Sequence, residues 1–204
     1  SRQAKRYSLK ELVASFGQIC TAVSFLHSKE ITHRDLKLEN FLICKDTYKL
    51  CDFGSCYKGV QKLTNNVERA DAEDEIGKTT TQMYRSPEMI DLYMNEELTT
   101  KCDIWALGCC LYTMSYLKNT FEEGSNLAIL NAKFEIPPEN ENPYIGQGSL
   151  NNIPELIARM LTVDSEARLD IGEVVNHLQG LYKGQGLPPR PRVPKTSQKS
   201  HNAV

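Results

Sequence analysis

No two cysteines of this 204-residue chain stand in a C-x-x-C pair, its most apolar run is too short to cross a bilayer, no internal repeat recurs, and tryptophan occurs once, at Trp105. Each absence excludes something. Without zinc spacing, Cys20, Cys44, Cys51, Cys56, Cys102, Cys109 and Cys110 are expected to be reduced, mostly buried thiols of a cytoplasmic protein. The most apolar run, Ile104–Leu117 (IWALGCCLYTMSYL), is too short and interrupted for a transmembrane segment and reads as a buried core helix. No signal-peptide pattern opens the chain. A net charge of −2 argues against nucleic acid as a partner. What remains, at 40% hydrophobic and 25% charged, is one globular unit with one sizeable core.

Against that background one stretch stands out, Ile31–Gly54 (ITHRDLKLENFLICKDTYKLCDFG), which holds Asp35, Lys37, Asn40 and Asp52. Singly, each is a solvated loop residue; together they have one chemistry. A carboxylate within hydrogen-bond reach can accept a proton, amide and carboxylate oxygens suit magnesium, and an ammonium neutralises phosphoryl charge. The stretch contains H-R-D-L-x-x-x-N followed by D-F-G, and so resembles the eukaryotic protein kinases. The resemblance implies transfer of the ATP γ-phosphate, with Mg2+, to a protein hydroxyl. Asp35 would orient that hydroxyl and take its proton, Asn40 and Asp52 would hold the metal, and Lys37 is the serine/threonine pattern. Leu42 would lie on the floor of the adenine site and Cys51 at its back, while His33, Phe53 and Gly54 complete the two motifs.

Asp52 to Glu88 resembles an activation segment, ending in Ser86-Pro87-Glu88 where A-P-E is usual. By its position Thr81 matches the threonine that bonds the catalytic aspartate and lysine, and Arg34 the arginine that grips a phosphorylated loop. Ser55, Thr64, Thr79 and Thr80 are all candidate acceptors. Within the segment, Val67–Ile76 (VERADAEDEI) sets five carboxylates against Arg69. The simpler expectation is a solvated face or mobile loop. The sharper one is that a carboxylate stands in for phosphate at Arg34.

Periodicity predicts a helix over Ser8–Ser28, opened by a Ser8/Glu11 capping box, with His27 as an ordinary helix-end residue. Phe41–Ile43 and Tyr48–Cys51 predict a hairpin, Pro138–Gly148 a surface loop, and Ile153–Leu161 a further helix. The predicted fold is mainly α with a short β-hairpin. The runs Y-R-S-P-E-M-I-D-L-Y and D-I-W-A-L-G-C resemble the Numb-associated kinase family, which includes the adaptor-associated, cyclin-G-associated and actin-regulating kinases. That resemblance implies a role in endocytosis or actin regulation, an extra helix over Met89–Asn95, Asp103 capping the catalytic-loop backbone, and Arg168 paired with Glu88.

The family's Gly-rich loop, strand lysine and helix glutamate do not occur here, so the resemblance covers a C-terminal lobe, residues 1–181, which needs an N-terminal lobe in cis and is expected to be inactive alone. Residues 182–204 read as a basic, proline-containing disordered tail, open to an SH3-type domain or anionic lipid. The alternative is a non-catalytic kinase-like interaction module or truncated inactive fragment. Intact Asp35, Lys37, Asn40, Asp52 and Thr81 favour the enzyme.

Overall fold

The computed structural model describes residues 8–138, 152–185 and 187. Its first element, α1 (Leu9–His27), begins where Ser8 accepts from the N–H of Glu11 and Glu11 answers the N–H of Ser8, which satisfies two orphan donors at once. Leu12, Val13, Phe16, Ile19, Cys20, Val23 and Leu26 form its buried stripe. By length and composition alone α1 could cross a membrane, but Val13, Phe16, Ile19, Cys20 and Val23 of that stripe belong to the main core.

After α1 come β1 (Ile31–Thr32), then β2 (Phe41–Cys44) and β3 (Thr47–Leu50), which pair antiparallel from Phe41↔Leu50 to Cys44↔Thr47. Lys45, at φ 56°, makes the tight turn. Two further pairs join β1 to β4 (Tyr57–Lys58) and β5 (Gln61–Lys62) to β6 (Glu97–Leu98). With two residues in each strand they have no readable alternation, so the sequence predicted only the hairpin.

Two elements depart from expectation. The acidic run is the solvated face of a helix and not a loop: α2 (Asn66–Thr79), in which only Ala72 and Ile76 are buried, starts at Asn65, whose side chain accepts from the N–H groups of Val67 and Glu68. Conversely, no separate helix spans Met89–Asn95. α3 spans only Pro87–Ile90, because the Asp91 carboxylate accepts from the N–H of Tyr93 and turns the backbone away from the helical path.

Among the described residues the remaining α-helices are α4 (Lys101–Tyr116), α5 (Asn126–Leu130), α6 (Ile153–Met160) and α7 (Ile171–Tyr182). α7 packs on α1, and α6 packs on the central α4, where Trp105 is wholly buried and stacked on Phe121. A smaller core of Leu63, Ala72, Ile76, Met89, Leu92, Leu98 and Cys102 seats α2 and α3. The architecture is thus a mainly helical lobe with short strand pairs. Most of the expected Pro138–Gly148 loop and of the 182–204 tail lies outside the described residues.

Candidate active site

The loop between β1 and β2 is built from below by α4. Asp103, in the first turn of α4 and fully buried, accepts the N–H of His33 at 2.8 Å and of Arg34 at 2.9 Å, and its Oδ2 lies 2.8 Å from His27 Nε2. These bonds hold Arg34 at φ 67°, a left-handed conformation that costs a non-glycine residue about 1–3 kcal/mol. The His27 contact was not foreseen, because its partner is 76 residues away and no local pattern announces it.

On this platform four of the expected residues converge. Asp35 Oδ1 accepts the N–H of Thr81 at 2.8 Å, and Asp35 Oδ2 lies 3.0 Å from Lys37 Nζ. Lys37 Nζ also donates to Thr81 Oγ1 at 2.8 Å. Asn40 Nδ2 donates to the Asp35 carbonyl at 2.8 Å, and the Asn40 carbonyl receives the Cys51 N–H at 2.9 Å and the Cys51 thiol at 3.2 Å. The base of the β2–β3 hairpin therefore ties the Asn40 end to the Asp52 end. His33 bridges them again: its Nδ1 accepts from the N–H of Asp35, which leaves Nε2 to donate to the Cys51 carbonyl at 3.2 Å. Its ring packs on Phe53 at 5.6 Å.

Asp52 adopts φ 62° and is exposed, as is Gly54. Leu42 and Phe53 are more than half exposed, so the face expected to hold adenine is open on this chain. Asn40 and Asp52 offer two hard oxygen ligands. Among the described residues no cluster of three His, Cys, Asp or Glu is poised for a metal. Two protein ligands suit Mg2+, which is ordinarily held by one or two carboxylates, substrate phosphates and water.

Beyond this centre, Glu88 and Arg168 form a buried ion pair at 2.7 Å, under α3. Arg34 extends away from Asp35 towards Glu75 and Gln61 on the following segment. Gln61 escaped notice in the sequence, since a lone glutamine in a two-residue strand carries no signal. Of the four candidate acceptors, Ser55 is buried with its hydroxyl on the His33 carbonyl, and Thr79 and Thr80 bond the carbonyls of Glu75 and Ile76. Thr64 alone of the four is exposed. Burial pushes the Cys56 thiol up to about 11, with Asp103 adding to the effect.

Comparison with known proteins places residues 1–178 in the family described as protein kinase domain. A probable serine/threonine-protein kinase of Dictyostelium discoideum is 38% identical over 188 residues, which is 90% of this chain and 16% of that protein. A second from the same organism is 38% identical over 177 residues, 85% of this chain and 21% of the relative. Actin-regulating kinase 1 of Saccharomyces cerevisiae is 42% identical over 130 residues, 62% of this chain and 20% of the yeast protein. The chain thus spans no more than 21% of the length of these relatives.

Proposed function

The chain belongs to the protein kinase domain family, and from that premise we propose that its site is the catalytic half of a serine/threonine kinase, moving the ATP γ-phosphoryl group to protein Ser and Thr hydroxyls. The observation that carries this reading is the position of Lys37 Nζ, 3.0 Å from Asp35 Oδ2 and 2.8 Å from Thr81 Oγ1. The catalytic carboxylate, the ammonium and the activation segment are locked together in one arrangement.

In that arrangement Asp35 orients the acceptor hydroxyl and takes its proton. Lys37 supplies positive charge beside the transferred group, and Thr81 fixes both partners through its N–H and its hydroxyl. Asn40 and Asp52 would hold Mg2+, which neutralises charge on the nucleotide phosphates when bound. A further lobe over this face would complete the nucleotide site. The exposure of Leu42 and Phe53 supports such a cover, since burial of that apolar surface is favourable.

The finer reading is a cytoplasmic kinase of the Numb-associated type, acting on endocytic or actin-associated proteins. The identity with actin-regulating kinase 1 supports it. The deciding measurement is label transfer from γ-labelled ATP with Mg2+ by the full-length protein, followed by phosphoamino-acid analysis. Phosphoserine and phosphothreonine are expected, and D35N is expected to abolish them. No transfer by the wild type leaves the alternative, a kinase-like interaction module.

A further inference from the structure

Arg34 is a buried cation, and a charge so placed must be fully paired. Its Nε donates to the Ser55 carbonyl at 2.6 Å, its Nη1 to Gln61 Oε1 at 2.8 Å and Glu75 Oε2 at 3.1 Å, and its Nη2 to Glu75 Oε1 at 2.6 Å. The Tyr57 ring lies 5.1 Å from Cζ, and Gln61 Nε2 makes a further bond to Glu75 at 3.3 Å. All four partners of the guanidinium belong to the stretch between Asp52 and Glu88. It is the hub on which that segment is hung.

Resting on the phosphoryl-transfer function proposed above, we infer that Glu75 is a positioning residue that locks residues 55–81 in their catalytic arrangement without an added phosphate. A planar guanidinium makes the same two-pronged grip on a carboxylate as on a phosphate, and here the carboxylate already fills it. From Glu75 the chain runs six residues to Thr81, whose N–H and hydroxyl meet Asp35 and Lys37. α2 is therefore fastened to the catalytic loop at two points, Arg34 and the Asp35–Lys37 pair.

None of the four candidate acceptor hydroxyls donates to or accepts from Arg34. Those of Ser55, Thr79 and Thr80 are spent on backbone carbonyls. Thr64 sits before the far end of α2, where it donates to Glu68, so a phosphate there would face a like charge. The Arg34 hydrogen bond also holds the Glu75 carboxyl below the usual range, which keeps the grip charged. The rival explanation is that burial of Ala72 and Ile76 seats α2 unaided.

The test uses the full-length protein stripped by a non-specific phosphatase, with dephosphorylation verified by intact mass. The wild type is expected to keep its kcat within about twofold, and T64A to match it. E75Q is expected to lose about 10- to 100-fold in kcat with KM for ATP unchanged, the signature of misplaced catalytic groups. Amide exchange across residues 66–81 accelerates in E75Q. Loss of activity on dephosphorylation overturns the inference, and so does an E75Q protein with wild-type kcat and exchange. Absence of transfer in the untreated wild type refutes the kinase reading instead. The exchange comparison still decides the lock in that case: unchanged protection in E75Q overturns it, and faster exchange supports it.

Discussion

Arg168 closes on Glu88 across 80 residues of chain, with Nη1 to Oε1 at 2.7 Å and Nη2 to Oε2 at 2.9 Å, and both side chains almost wholly buried. The remaining guanidinium hydrogens go to the carbonyls of Thr162, Lys101 and Val163, and its Cζ lies 5.2 Å from the Trp105 ring. A pair so well satisfied joins the end of the activation segment to the chain between α6 and α7. Its worth is in what happens when one partner is left alone.

Removing either partner strands a buried charge. E88Q and R168M are each expected to cost about 3–5 kcal/mol, and the double substitution distinctly less than their sum. Urea denaturation of the four proteins measures the coupling. Additive losses would show that the two residues act separately.

The same pair sets a pH dependence. Burial opposes ionisation of Glu88, but the hydrogen bond and charge of Arg168 outweigh it and hold its pKa below the ordinary 4.5. A carboxyl depressed in the folded state stabilises fully above its unfolded value, and that stabilisation is lost as pH falls through the folded one. The gap between wild type and E88Q is therefore expected to be widest above about pH 4.5 and to close below it. Unfolding midpoints measured across the acid range should converge; a gap constant with pH would contradict the assignment.

Gly108 is a contact point between α4 and the end of α6. A Cβ there would stand 2.9 Å from Leu161 Cδ2 and 3.0 Å from Met160 Cβ. G108A is expected to destabilise by about 1–3 kcal/mol through overpacking. In an L161A background the cost of G108A should be smaller than in the wild type, because the shortened side chain clears the nearest clash. Thermal unfolding of the single and double variants reads this directly.

Cysteine labelling is expected to follow exposure. Cys44 lies open on β2, whereas Cys20, Cys102, Cys109 and Cys110 are buried with their thiols pushed upward by desolvation, Cys109 to about 12. A short pulse of iodoacetamide should modify Cys44 in the folded protein. The buried four should react only after unfolding, as peptide mass mapping would record.

Much of the site was legible because its chemistry is local. Asp35, Lys37, Asn40 and Asp52 lie within 18 positions, on a loop and a hairpin whose turn residues announce themselves. α1 was equally plain, since its capping box and seven-residue buried stripe are written at helical spacing. α2 was not. Only Ala72 and Ile76 of its residues are buried, too few to make a stripe, and the one local sign was Asn65 at its start. The expected helix over Met89–Asn95 failed for the opposite reason, as helix-forming residues were overruled by a single aspartate bonding its own backbone.

The sequence by itself determined the family resemblance, the catalytic residue types and the hydrophobic periods, because these depend on neighbours a few positions apart. It left open whether any carboxylate of the 67–76 run meets Arg34, and it gave no hint that His27 meets Asp103. Only tertiary structure decided that Glu75, rather than Glu68, Asp71, Glu73 or Asp74, reaches the guanidinium. That choice depends on the rotation of α2 about its axis, and so on contacts with residues distant in the chain, Arg34 for Glu75 and Leu98 and Cys102 in the core shared with Ala72 and Ile76.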